Sequence, residues 1–129
     1  MEKITKGNAK GSAGGRNKGN AGEAAAALLL EEKGMRILER NFRSQRGEVD
    51  IIALEDETIV FVEVKTWSSY GIDSLEQALD HKKQRKIIET SKYFLSLHRE
   101  YRYMAVRFDV IFISPGGITY LASAFTERV

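Results

Sequence analysis

Two carboxylates and a lysine on neighbouring β-rich runs are the residues of this sequence best suited to chemistry. Residues 47–54 (GEVDIIAL) and 58–65 (TIVFVEVK) flank a short acidic turn and predict a β-hairpin. A two-residue turn at Asp56 and Glu57 places Asp50 opposite Glu63, and Glu48 opposite Lys65. Side chains alternate along a strand, so Glu48, Asp50 and Ile52 should share one sheet face with Ile59, Phe61, Glu63 and Lys65, and the valines should take the other. Opposed carboxylates repel at the short Cβ separations of a strand pair. A divalent cation is the economical compensation, because Mg²⁺ is commonly held by one or two carboxylates together with phosphate oxygens and water. The alternative is a solvated sheet face on which Glu48 and Lys65 neutralise the patch; the apolar Ile52, Ile59 and Phe61 on the same face argue for a polar cluster at the rim of a core.

The elements around this hairpin must position it. Residues 20–33 read as a helix of good formers stopped by Gly34, with Glu23, Ala26, Ala27 and Leu30 on one stripe. Glu23 either complements the helix dipole or points at the cluster of Asp50. Residues 36–43 predict the first strand and 44–47 a polar turn, where Gly47 allows a close approach or a positive φ. Arg40, Arg43 and Arg46 bring positive charge there, or protect an edge strand. Trp67 and Tyr70 lie in the loop after the hairpin, as anchors on the domain or as stacking surfaces for bases.

A long second helix is predicted from Leu75 to about Arg99, N-capped by Asp73 or Ser74. Leu79, Ile87, Ser91, Phe94 and His98 form its packing stripe. Lys83 falls within that stripe, either snorkelling or reaching a charge across the interface. Lys82, Arg85 and Lys86 flank it in the densest basic run outside the N-terminus. Two more strands, 104–113 and 117–122, surround the Ser-Pro-Gly-Gly turn, with Arg107 and Asp109 as an internal ion pair. His81 and His98 lack the spacing of metal ligands.

A chain of 129 residues suits one core. Having no cysteine, it offers no disulfide framework, thiol nucleophile or thiolate zinc site. It shows neither the apolar core of a signal peptide nor a membrane-length run, so the expected location is the cytoplasm, away from any membrane. The net charge of +2 conceals an asymmetry: Lys3, Lys6, Lys10, Arg16 and Lys18 face only Glu2 in the first twenty residues, which leaves the remainder slightly acidic. Nucleic-acid binding therefore has to come from local basic patches. The expected organisation is a flexible basic arm over residues 1–19, a folded domain over 20–122 and a tail over 123–129.

An early helical acid, an Asp on one strand and Glu-x-Lys on the next resemble the PD-(D/E)XK nuclease superfamily. The ordered set Gly19-x-x-Gly22-Glu23-x-x-Ala26, Asn41-x-Arg43, Gly47-Glu48-Val49-Asp50-Ile51-Ile52, Val60-Phe61-Val62-Glu63-Val64-Lys65, Lys83-Gln84-Arg85 and Arg107-Phe108-Asp109-Val110 is similar to the YraN-like family of bacterial proteins. These are usually described as endonuclease-like and akin to archaeal Holliday-junction resolvases. The resemblance covers residues 19–113. It implies a restriction-endonuclease-like three-layer α/β/α fold with a central mixed sheet, and Mg²⁺- or Mn²⁺-dependent hydrolysis of phosphodiester bonds in DNA, including branched DNA. It implies Glu23, Asp50, Glu63 and the Val64 carbonyl as metal ligands, Lys65 as the catalytic lysine, and Gln77 and Lys83 as nearby helical contributors. Lys82, Lys83, Arg85, Lys86, Arg43 and Arg46 would contact flanking phosphates. Relatives commonly carry an arginine two residues beyond the motif lysine, where this chain has Trp67. By analogy with resolvases, a homodimer would suit a two-fold symmetric substrate. A binding module with the same fold but no cleavage, or a domain holding only a structural ion, are the other readings; fold alone does not separate them.

Overall fold

A computed structural model describes residues 17–66 and 79–127. Gln77, Trp67, Tyr70, Asp73, Ser74 and the basic arm through Arg16 lie outside the described residues. In chain order the elements are α1 (Asn17–Glu32), β1 (Arg36–Arg43), β2 (Glu48–Glu55), β3 (Thr58–Thr66), α2 (His81–Leu97), a short 3-10 turn (Arg99–Tyr101), β4 (Ala105–Ser114) and β5 (Gly117–Phe125). The strands form one mixed sheet in sequence order, antiparallel except for the parallel pair β3–β4, which α2 connects. One helix covers each face, giving the three-layer restriction-endonuclease-like arrangement that the resemblance implies.

Alternation along the strands sorts the core in two. Ile52, Ile59, Phe61, Phe108, Val110 and Phe112 pack under Leu79, Ile87 and Phe94. Ile51, Ala53, Val60, Val62 and Ile111 pack under Ala26, Ala27 and Leu30 of α1. Phe94 is the aromatic hub of the first layer, edge-on to Phe42 at 5.1 Å and to Phe61 at 6.0 Å. Helix α1 ends in a Schellman motif: the N–H of Met35 donates to Leu30 O and that of Gly34 to Glu31 O, with Gly34 at φ 95°.

Two expectations about α2 and the hairpin change. Leu79 and Asp80 are not helical, and α2 begins at His81 with Asp80 as its cap; Asp80 Oδ1 accepts from the Lys83 N–H at 2.9 Å. A side chain that competes for backbone donors favours the cap over the helix interior, which is why this helix starts directly after Asp80. The basic run thereby moves into the first turns of the helix. In the hairpin, Ile51↔Val62 through Glu55↔Thr58 pair in the expected register, but the ladder stops at Ile51. Asp50 Oδ2 instead accepts from the Val64 N–H at 2.8 Å, and Val49 joins the layer that holds Ile52. The alternation is therefore broken at Asp50, and Glu48 does not sit opposite Lys65 in a ladder.

Candidate functional site

The break in the ladder is what assembles the site. Asn41 lies between the pairs Arg40↔Ile51 and Phe42↔Val49, beside Asp50, and has a φ of 56°. Asparagine tolerates this left-handed conformation better than most residues. Both strands thus leave regular geometry at one level, and carboxylates from α1, β2 and β3 converge there. Helix α1 reaches this level because Gly22 leaves room: a Cβ at that position would stand 2.7 Å from Thr66 Oγ1 at the end of β3. Gly47 plays a similar part at the other helix, where an added Cβ would lie 3.3 Å from Lys86 Cβ; it needs closeness and not a positive φ.

Oxygens of Glu23, Glu48 and Asp50 lie within 4.8 Å of one another. Asp50 also lies in the field of Glu63, whose carboxylate is 3.5 Å from Lys65 Nζ. Asp50 is consequently the hub of two overlapping acidic groups. Burial, then the charge of Glu63, pushes its carboxyl up to about 9. Burial also raises Glu63, opposed by Lys65, Asp50 and Lys83, and raises Glu23, opposed by Asn41 and Arg40. Lys83 is lowered, first by its contact with Lys65. Glu23, Asp50 and Glu63 are all raised in this space, so the side chains around them supply only part of the counter-charge that three buried carboxylates need.

Arg40 forms an ion pair with Glu23 at 3.6 Å, beyond hydrogen-bond length, and both Glu23 Oε1 and the Arg40 guanidinium nitrogens are buried without hydrogen-bond partners. A buried acceptor left open, within a set of hard oxygen donors, fits a divalent cation of the Mg²⁺ type. Glu48 is the member that sequence reasoning missed as a ligand candidate. Regular alternation assigned it to Lys65, whereas it reaches Glu23 and Asp50 and pairs with Arg43 at 3.1 Å. Glu23 sits two turns into α1 and not in its first turn, which removes the helix dipole as the reason for its presence.

The remaining candidates fall into two groups. Lys65 and Lys83 border the acidic cluster. Lys82, Arg85 and Lys86 line one groove with Gln45 and Arg46 of the β1–β2 turn. Arg46 is tied to Glu89 at 2.8 Å. Away from the site, Asp109 is fully buried and accepts from Arg107 Nε and NH2, Tyr120 OH and the Ser123 N–H, while Arg107 NH1 donates to Glu55 at 2.6 Å. Arg107 and Asp109 are an internal network, as the sequence suggests.

The chain matches the model of the uncharacterised protein family UPF0102 over residues 22–113. It belongs to that family. A UPF0102 protein of Persephonella marina is 48% identical over 108 residues, spanning 84% of this chain and 92% of its own. One of Treponema pallidum is 48% identical over 118 residues, spanning 86% and 94%, and one of Treponema denticola is 40% identical over 123 residues. The UPF0102 match runs from the glycine that admits α1 to β3 through the end of β4, and so includes every acidic and basic residue of the site. Among the described residues, no helix is long and apolar enough to cross a membrane.

Proposed function

We propose that this protein is a metal-dependent endonuclease that hydrolyses phosphodiester bonds in DNA, including branched DNA. The observation that carries the reading is the buried Asp50, shared between Glu23 and Glu48 on one side and Glu63 with Lys65 on the other. Glu23, Glu48, Asp50, Glu63 and the Val64 carbonyl would hold Mg²⁺ or Mn²⁺, whose charge would offset that of a bound phosphate and acidify a water. Asp50 is fixed by the Val64 N–H, so its orientation precedes binding. Lys65, held beside Glu63, would donate to the phosphoryl oxygen that gains charge as the bond to the nucleophile forms. Lys83 would share this charge from α2.

The first turns of α2 support a polyanionic substrate. Basic residues at a helix N-terminus are disfavoured by the dipole. Lys82, Lys83, Arg85 and Lys86 nevertheless crowd this end, exposed, with no acid in the first turn. That arrangement costs stability in the free protein and is repaid when phosphates approach. A homodimer would present two such sites to a symmetric junction.

The test is cleavage of linear duplex, single-stranded and four-way-junction DNA in Mg²⁺ or Mn²⁺, with Asp50→Asn, Glu63→Gln and Lys65→Ala beside the wild type. Loss of cleavage in all three is expected. Unchanged cleavage in the three variants rejects the site; tight binding by the wild type with no cleavage in either metal makes the protein a binding module instead.

A further inference from the structure

We propose that a hollow between the β1–β2 turn and α2 is a subsite for one unpaired nucleotide next to the scissile phosphate. The inference rests on the nucleic-acid reading above and extends it to the form of substrate.

The hollow is lined by Arg43, Ser44, Gln45, Arg46, Glu89 and Tyr93. Its aromatic member is the informative one. Tyr93 is 48% exposed, although it stands on a helix whose other aromatic, Phe94, is buried. Its ring leans on Phe42 at 6.0 Å and 33°, so one side rests on the core and the other is open. An aromatic plane supported from behind is a platform on which a base can stack, whatever its identity. Around it stand an amide, a carboxylate and a hydroxyl, which can hydrogen-bond the edges of an unpaired base, and two guanidinium groups, which suit its phosphates.

The lining is held in place before any ligand arrives. Ser44 N–H donates to Gly47 O at 2.8 Å and Arg46 N–H to Ser44 Oγ at 3.0 Å, closing the turn on itself. Ser44 Oγ meets Thr90 Oγ1 at 3.1 Å, and Arg46 meets Glu89 at 2.8 Å, fastening the turn to α2. Arg43 joins the hollow to the acidic cluster directly, because it pairs with Glu48 at 3.1 Å. The groove of Lys82, Arg85 and Lys86 opens from the same turn and would carry the adjoining backbone. Bases within a duplex are stacked and paired, and offer no free face. The subsite therefore selects DNA with splayed or looped strands over perfect duplex.

The test measures binding with Asp50→Asn protein, so that no cleavage is needed. Two probes are compared, a forked DNA with splayed single-stranded arms and a blunt duplex of the same sequence. Replacing Tyr93 by Ala should weaken fork binding by about tenfold and leave duplex binding within about twofold, whereas Tyr93→Phe should bind the fork as the parent does. A 2-aminopurine in the splayed arm beside the fork should change in fluorescence on binding the parent and not the Ala variant. Equal weakening on both probes, no weakening on the fork, or an unresponsive 2-aminopurine overturns the subsite while leaving the nuclease reading to the cleavage assay. Failure of the parent protein to bind either probe overturns both.

Discussion

Asp50→Asn should make the metal-free protein more stable at neutral pH, not less. Asp50 is 9% exposed, and its carboxyl is pushed from 3.8 to about 9 by burial and by Glu63. A carboxyl raised in the folded state contributes its stability below the unfolded value and loses it as pH rises toward the folded one. Between pH 4 and pH 9 each unit costs about 1.4 kcal/mol for a single proton. The three units from pH 4 to pH 7 amount to about 4 kcal/mol, and because Glu63, Glu23 and Glu48 act on the same group we assign Asp50 roughly half, about 2 kcal/mol. The asparagine keeps an oxygen for the Val64 N–H and carries no charge, so about 2 kcal/mol should be recovered, or roughly 5–10 °C in Tm. Thermal unfolding in EDTA from pH 5 to pH 9 checks this: the wild type should fall steadily, and the variant should fall less. Adding Mg²⁺ should stabilise the wild type increasingly as pH rises, through mass action on a deprotonated site, and should do little for the variant. A variant less stable than wild type at pH 7 in EDTA, or equal stabilisation of both by Mg²⁺, would mean that the buried charge of Asp50 neither strains the metal-free fold nor binds the ion.

Four further outcomes follow from the geometry. Gly22→Ala should cost about 1–3 kcal/mol, since the new methyl meets Thr66 Oγ1, and Thr66→Ala should relieve most of it in a double-mutant cycle read by urea unfolding. Asn41→Gly should keep the strand geometry, whereas Asn41→Ala should lose about 1 kcal/mol more by the same measurement, because only the alanine is strained at φ 56°. Arg107→Met should destabilise by about 3–5 kcal/mol by stripping the buried Asp109 of two donors, without changing Mn²⁺ affinity in calorimetry. Replacing Lys82, Arg85 and Lys86 together by Ala should flatten the salt dependence of DNA binding by about 2–3 units of log–log slope, as seen in fluorescence anisotropy.

The layers of the fold were legible because periodicity is a local property. Ile59, Phe61, Val60 and Val62 sort to the two faces as their order requires, and a two-residue turn fixes the register from Ile51 to Glu55. Glu63 and Lys65 share a face of β3 as alternation requires, whereas Asp50 meets Glu63 beyond the end of the paired ladder. What the sequence concealed arises where local rules yield to tertiary bonds. Nothing in the residue order shows that Asp50 takes the Val64 N–H, ends the ladder and turns Glu48 toward Glu23. Asn41, a poor strand former on the strand preceding Asp50, is the one hint, and it becomes interpretable only with its positive φ. The start of α2 is not legible because Asp80 is by residue type no better a cap than Asp73 or Ser74, and the bond from the Lys83 N–H that makes Asp80 the cap of this helix belongs to the folded chain. Tyr93 could not be separated from the packing aromatics by spacing, since it is adjacent to Phe94 and differs only in the face it presents.

The carboxylates gathered around Asp50 should form a divalent-cation site. Diffraction from crystals equilibrated with Mn²⁺, recorded at the manganese absorption edge, measures this directly. An anomalous peak among Glu23, Glu48, Asp50 and Glu63 that disappears in Asp50→Asn crystals is the predicted result. Manganese peaks elsewhere on the molecule with none at the cluster would contradict it.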